Sequence, residues 1–433
     1  MWHSFIVLVC FLVIGLTPNT RVLGQDEAVD IASLLEDDTL LDALLDGDTE
    51  VLAEPEVTAD LPVIPESKNE TEPQPEPTSI PDTTVIPETI NETSALWDIE
   101  HRLLLGGGHK RNALFSASSS EDSAFTLTEW ETTILRLGQP SDWQFLGFLL
   151  VENRHYADVD GLDNEWMAMA LAQIDKPMGD WKVGLSGQYL YLEQAFSLEF
   201  EELDLGQAEI VMNQFAIKPK AEIQLSNDWK WGFQLPIAIS RFQDDAQDYD
   251  EFGFETFVQV PVTDRVRLTA SYGFEYRDYA EREAREADGT VIPGSHLTWD
   301  EHDFELELDV KWGASNQWRS RSALRHRIVQ DSSSGYQDFH MTRFSQTLRY
   351  EQDPWSLALL GSYTHYDYPV QTKTDDDSNH RHRSRFGIGF EARHTFSESW
   401  DGLARYDYER FLSNVDEDNY EVHVFTLGLH HTF

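Results

Sequence analysis

The sequence predicts an all-β protein: a transmembrane antiparallel up-and-down β-barrel of about 16 strands, preceded by a disordered acidic tether. Three observations predict it. Segments throughout residues 96–433 alternate apolar and polar with period two, the pattern of strands with two unlike faces. Short turn clusters recur at intervals of 37 to 52 residues, and most are followed at once by tryptophan. The chain holds 13 Trp, 15 Tyr and 24 Phe although its mean hydropathy is −0.45. Disordered acidic chains are poor in aromatics, so a large part of this one folds.

Composition excludes several classes. With 78 acids against 32 bases the net charge is −46, and a phosphate backbone needs a basic face, so nucleic acid is no partner. The low hydropathy excludes a polytopic helical membrane protein. A single cysteine, Cys10, excludes a disulfide framework and a cysteine zinc site.

Residues 1–25 read as a signal peptide. The apolar run Phe5 to Leu16 is too short to span a bilayer, and Val22 and Gly24 suit cleavage before Gln25. Residues 26–95 are an acidic periplasmic tether with 20 acids, one base (Lys68) and eight of the 17 prolines. Its Pro/Glu/Thr stretch from Glu54 to Ser94 is expected to be extended and disordered. Within residues 30–47, Leu34, Leu35, Leu41, Leu44 and Leu45 approximate one helical stripe between acids. That stripe reads either as a frayed helix on the tether or as a docking helix for a periplasmic partner.

Residues 96–433 form the barrel, with a net charge of −28. Turn clusters precede Trp143, Trp181, Trp229, Trp318, Trp355 and Trp400, and Thr263-Asp-Arg fills the missing slot before Val266. Seven short turns imply eight hairpins. Longer polar connections are expected at the other end, near 157–163, 194–208, 242–249, 280–298, 331–338, 368–382 and 413–419. On one strand Trp229, Trp231, Phe233, Leu235, Ile237 and Ile239 share a face; on another Val266, Leu268, Ala270, Tyr272, Phe274 and Tyr276 do. Rings at strand ends suit an aromatic girdle, and a charged opposite face suits a wet lumen. Gly106-Gly107-Gly108 has no strand–loop–helix context for phosphate binding and is expected to bend the first strand as a bulge.

The last strand places Phe425, Leu427, Leu429, His431 and Phe433 on one face. With Thr426, Gly428 and the terminal Phe433, it resembles the terminal signal of Gram-negative outer-membrane β-barrels, which the barrel-assembly machinery reads. His431 departs from the aromatic or aliphatic residue usual there. The turn-plus-Trp hairpins are also similar to uncharacterised proteobacterial barrels and to the barrel domain of surface lipoprotein assembly modifiers. Those modifiers carry helical repeats where this chain has a tether, so their translocation activity is not carried over. The resemblance implies a porin-like barrel in the cell outer membrane, both termini periplasmic, within outer-membrane lipid and lipopolysaccharide. A homotrimer is the assembly common among such barrels.

Charge on the polar face carries the functional expectation. Asp303, Glu305, Glu307 and Asp309 fall on one face of a strand, and Arg319, Arg321, Arg325 and Arg327 on one face of the next. Symmetric pairing about Ser315 sets Asp309 against Arg321, Glu305 against Arg325 and Asp303 against Arg327, each pair contributing ~0.2–1 kcal/mol. Arg343, Arg349, Arg393 and Arg405 extend this pore lining. Such charges either satisfy one another in a hydrated interior or set up a transverse field at a constriction; Arg321, Arg325, Arg343 and Glu305 are the expected narrow point. The net charge predicts cation preference. The expected function is passive diffusion of small polar or charged solutes, and the alternative is an export or assembly barrel served by the tether. No cofactor or metal is expected: Asp375, Asp376, Asp377, His380 and His382 read as a solvated loop, and the histidines as scattered over both faces. Ser384, His365 and Asp367 have no spacing that singles out a catalytic set, so an enzyme is not expected.

Overall fold

The computed structural model describes residues 96–115, 121–137, 142–159, 162–196, 208–225, 229–313, 315–373, 376–415 and 418–433. The signal peptide, the tether and the 30–47 stripe lie outside the described residues.

The strands are β1 (Leu96–Arg111), β2 (Ser123–Leu137), β3 (Gln144–Tyr156), β4 (Asn164–Met178), β5 (Trp181–Phe196), β6 (Ala208–Gln224), β7 (Lys230–Gln234), β8 (Ile237–Phe242) and β9 (Tyr249–Thr263). They continue with β10 (Val266–Tyr279), β11 (Thr298–Trp312), β12 (Trp318–Asp331), β13 (Phe339–Gln352), β14 (Trp355–Lys373), β15 (Asp376–Ser397), β16 (Trp400–Ser413) and β17 (Tyr420–Thr432). Apart from β7 and β8, each pairs antiparallel with its chain neighbours, and β1 also pairs with β17, so the sheet closes on itself. Both β7 and β8 pair with β6 and β9. They are two halves of one strand interrupted at Leu235-Pro236, where proline has no N–H to give the ladder. The barrel therefore has 16 strands. Closure leaves no edge, which is what lets a sheet stand in hydrocarbon.

The short turns fall where the tryptophans mark them. The β4–β5 turn is Gly179-Asp180, with Gly179 at φ +68° in open space. Both ends of the barrel domain lie at this end, since Arg102 pairs with Thr432. The long connections lie at the other end, with two departures from expectation. An eighth, residues 112–122, joins β1 to β2. And 368–382 is not a loop: β14 and β15 extend through it as a hairpin, with register shifts between Asp367 and Lys373.

Gly106–Gly108 does not form a bulge either. β1 keeps unbroken register with both β17 and β2 through all three glycines. Their use is close approach: a Cβ on Gly106 would sit 2.5 Å from the carbonyl oxygen of Leu427, and one on Gly108 2.0 Å from that of Phe425. The closing strand pair tolerates no side chain there.

Alternation sorts each strand into two faces. On β11, Phe304, Leu306 and Leu308 are 47%, 46% and 38% exposed, while Glu301 and Asp309 on the opposite parity are buried. The same exposed apolar face runs round the barrel through Trp231, Phe254, Leu324, Phe344, Leu359, Ile388 and Leu427. A continuous apolar band outside and charge inside is the inverse of a soluble protein and is the geometry of a transmembrane barrel. At the short-turn end the band ends in rings packed edge-on or tilted against one another. Trp355–His394 (4.4 Å), Trp400–His431 (4.5 Å), His431–Phe433 (5.2 Å) and Trp130–Phe433 (5.4 Å) form one girdle. His431, the departure in the terminal motif, thus acts as a girdle ring between Trp400 and Phe433.

Candidate functional site

The inner face of β11 to β16 carries the sequence-predicted charges. The β11–β12 register pairs Asp309 with Arg321, Glu305 with Arg325 and Asp303 with Arg327, the register that symmetry about the turn predicts. Close ion pairs run diagonally across that register. Arg319 Nε donates to Asp309 at 3.0 Å, Arg321 Nε lies 3.5 Å from Glu307, Arg325 Nε donates to Asp303 at 2.6 Å and Arg327 Nε lies 2.9 Å from Glu301. In each case the guanidinium reaches the acid two residues beyond its directly paired position, toward the long-loop end. A long side chain reaches that diagonal neighbour, ~7–8 Å away at the backbone. Asp303 is shared, since Arg327 also donates to it at 3.2 Å.

Glu305, Arg325 and Arg343 stand side by side in one circumferential row, followed by Thr364 and Arg385. Arg321 does not join this row; it pairs with Asp309 and Thr347, four residues along β12. Like charges are set directly opposite one another here: Arg325 faces Arg343, and Arg319 faces Arg349 on one side and Lys311 on the other. Directly opposed like charges destabilise a strand pair. Further round, Arg385 donates to Glu409 at 2.6 Å, Arg393 Nε to Glu391 at 2.7 Å and Arg405 Nε to Asp407 at 2.9 Å.

Charge is not uniform round the lumen. The expectation of a charged inner face on strand after strand fails at mid-height on β3 to β6. There Phe148, Leu150, Met169, Leu171, Leu190 and Leu192 are buried on the face opposite the exposed band. Register joins Leu150, Met169 and Leu190 into one row. This apolar wall lies about half-way round the ring from the arginines of β12 to β15.

Two buried centres escaped sequence reasoning. Lys110 Nζ on β1 donates to Glu165 Oε1 on β4 at 3.0 Å, and Tyr156 OH donates to Glu165 Oε2 at 2.6 Å. Both charged side chains are under 5% exposed, and the contact spans β2 and β3 across the inner surface. Arg277 on β10 donates to Glu251 on β9 at 3.0 Å beneath the Tyr249 ring. Strand parity would have placed each of these on the inner face. Only the Lys110–Glu165 contact skips strands and so depends on barrel curvature, which no local pattern carries; Arg277 and Glu251 are direct register partners.

Connections at the long-loop end pack on the inner face. Ala284 and Leu297 of the 280–297 connection join Tyr249, Tyr279, Trp299 and Val329 in one buried cluster. Ala113, Leu114, Val159 and Leu162 join Leu104, Phe125, Leu127 and Tyr156 in another.

The histidines are not scattered over both faces. Among the described strand residues, His430 is the one on the inner face, 2.9 Å from Asp401; the others share the exposed face. His365 Nδ1 and Ser384 Oγ lie 3.0 Å apart there. The same imidazole–hydroxyl pairing recurs at His326–Thr342 and His101–Thr132, each 3.0 Å, so this pair is one of a series. Asp367 pairs by register with His340 and His382. Among the described residues no group of three His, Cys, Asp or Glu is placed to hold a metal ion; the side chains of 373–378 lie outside them. In the terminal motif Thr426 and Gly428 point inward, and Phe433 outward.

No protein-family model matches the chain, and no curated protein matches it. Solved structures with a similar strand layout include OccK9 (OpdG) of Pseudomonas aeruginosa, at 9% identity and TM-score 0.45, covering 78% of this chain and 99% of that one. An anion-selective porin from Comamonas acidovorans aligns at 11% identity and TM-score 0.42, covering 78% and 100%. A bacterial polysaccharide outer membrane secretin aligns at 12% identity and TM-score 0.38, covering 77% and 97%. The fold is a closed antiparallel β-barrel of 16 strands. At these scores the likenesses carry no functional weight; the barrel's own two faces do.

Proposed function

We propose that this chain is an outer-membrane channel for passive diffusion of small polar or charged solutes, with the short turns and both termini on the periplasmic side. The observation that carries the reading is the closed barrel whose outer band is apolar and whose inner face holds paired charges from Glu301 to Asp407. Charges held in fixed pairs on a wet wall set a transverse field that orients a passing dipole without binding it tightly. Asp303, Glu305, Glu307, Asp309, Arg319, Arg321, Arg325, Arg327, Arg343, Arg349, Arg393 and Arg405 line the path. The barrel's net −28 favours cations, and the row Arg325, Arg343 and Arg385 forms a local station for anionic groups.

Arg325→Ala tests this. It removes one positive charge from the row, so cation preference rises in a bilayer salt-gradient measurement. Unchanged selectivity and conductance would remove Arg325 from the path. Removing residues 26–95 separates the channel from an export or assembly barrel: a channel goes on conducting, whereas an export device loses its cargo.

A further inference from the structure

Four adjacent strands change character at the same height on their outer face. On β12 the exposed Leu324 is followed two residues on by His326. On β13 Phe344 gives way to Thr342 and His340. On β14 Tyr363 leads to His365 and Asp367, and on β15 Phe386 leads to Ser384 and His382. Register aligns them in two rows: His326, Thr342, His365 and Ser384 in one, and His340, Asp367 and His382 in the next toward the long loops. Ring centroids of His326 and His340 lie 6.3 Å apart, and those of His365 and His382 6.4 Å apart. His340 and His382 are exposed; His326 and His365 are half-buried.

A shared height on four strands, directly above a lipid-facing band, marks the plane where hydrocarbon gives way to headgroups. At such a plane barrels and helices ordinarily place lysine or arginine, whose charge is permanent. Here the patch offers imidazoles, the side chain whose charge changes between about pH 5 and pH 8. The charged and titratable groups around it on the same face are Asp300 and His302 on β11, Asp367 on β14, His380 on β15, Arg410 on β16 and Glu421 on β17. With neutral imidazoles the three acids outweigh the single arginine. With charged ones the patch turns strongly basic.

We propose that His326, His340, His365 and His382 form a pH-gated docking surface for the phosphate groups of anionic lipid in the leaflet at the long-loop end. The inference rests on the transmembrane reading of the barrel. Lipid is favoured over a metal ion because the described residues hold no metal-competent group of three. Charge complementarity favours phosphate: an imidazolium carries two N–H donors, of which the Nδ1 of His326 and of His365 already lies 3.0 Å from the Thr342 and Ser384 hydroxyls. Apolar side chains directly below on all four strands hold the acyl chains in register beneath it.

The test uses the full-length protein reconstituted in phosphatidylcholine vesicles containing labelled phosphatidylglycerol, whose phosphodiester stays anionic at both pH values. Tryptophan-to-label energy transfer reports the local enrichment of the anionic lipid over labelled phosphatidylcholine. Between about pH 7.5 and about pH 5.5 the enrichment is expected to rise roughly tenfold, the gain several surface cations confer. In a variant with all four histidines changed to Gln the rise is lost. In a variant with all four changed to Arg the enrichment is high at both pH values. An equal rise in the Gln variant, or none in the wild type, overturns the proposal. Full insertion of each variant, read from its resistance to proteolysis, keeps that outcome distinct from failure of the membrane reading. Equal pH-dependent competition by free inorganic phosphate and by lipid would assign the patch to the free ion and overturn the lipid assignment.

Discussion

Replacing Lys110 by Met isolates the energetics of the buried inner face. In the folded barrel Lys110 Nζ donates to Glu165 at 3.0 Å, with both side chains under 5% exposed. Methionine keeps the length and apolar stem but removes the charge. The hydrogen bond to a charged partner is worth ~1.5–3 kcal/mol, and breaking one side of a buried pair costs ~3–5 kcal/mol because the other charge is stranded. Glu165 is not wholly stranded: Arg154 Nη1 stands 3.9 Å away and Tyr156 OH still donates to it. The cost should therefore lie at the low end, ~3 kcal/mol. Adding Glu165→Gln removes the stranded charge while keeping an acceptor for Tyr156, so the double variant should recover most of the loss and sit within ~1 kcal/mol of wild type. Equilibrium urea unfolding of the refolded barrel in detergent measures all three. A single variant costing under ~1 kcal/mol, or a double variant no better than the single, would refute the picture of a tightly coupled buried pair.

Other expectations are equally direct. Asp303→Asn removes the acid shared by Arg325 and Arg327; at ~10 Å in water one charge shifts each ion by ~0.4 kcal/mol, with opposite sign for cation and anion. Screening over a Debye length of ~10 Å leaves a roughly twofold fall in the cation-to-anion permeability ratio, read from the reversal potential. Gly106→Val sets a branched side chain against the Leu427 carbonyl and should sharply lower the fraction that refolds to the closed, heat-modifiable form; normal refolding would show that the glycines are not needed for closure. His431→Ala removes the ring between Trp400 and Phe433 and should cost ~0.5–1.5 kcal/mol in the same urea assay, since it deletes ring contacts while leaving the backbone ladder intact.

Much of the fold was legible because a barrel repeats one local rule. A turn-plus-Trp cluster marks six of the seven short turns, and period-two alternation then assigns every side chain to a face. The symmetric register about Ser315 followed from those two facts, and Glu305 does face Arg325. What was not legible depends on curvature and closure. The diagonal reach of Arg319 to Asp309 follows from side-chain length and sheet twist rather than from pairing. The contact of Lys110 with Glu165 spans two intervening strands. Gly106 and Gly108 looked like a bend because their partner, β17, lies more than 300 residues away along the chain. The apolar inner wall of β3 to β6 was masked for a different reason: with apolar residues on both faces, as at Met169-Ala170-Leu171, alternation loses its contrast. Residues 368–382 looked like a loop because polar, charged strands that project beyond the membrane have no hydrophobic period to read.

The central claim is an open, charge-lined channel, and single-channel recording tests it most directly. The full-length protein, refolded and inserted in a planar bilayer with a KCl gradient, should show steady conductance on the nanosiemens scale and a reversal potential biased toward cations. A barrel demonstrably folded and inserted that passes no current would contradict the account.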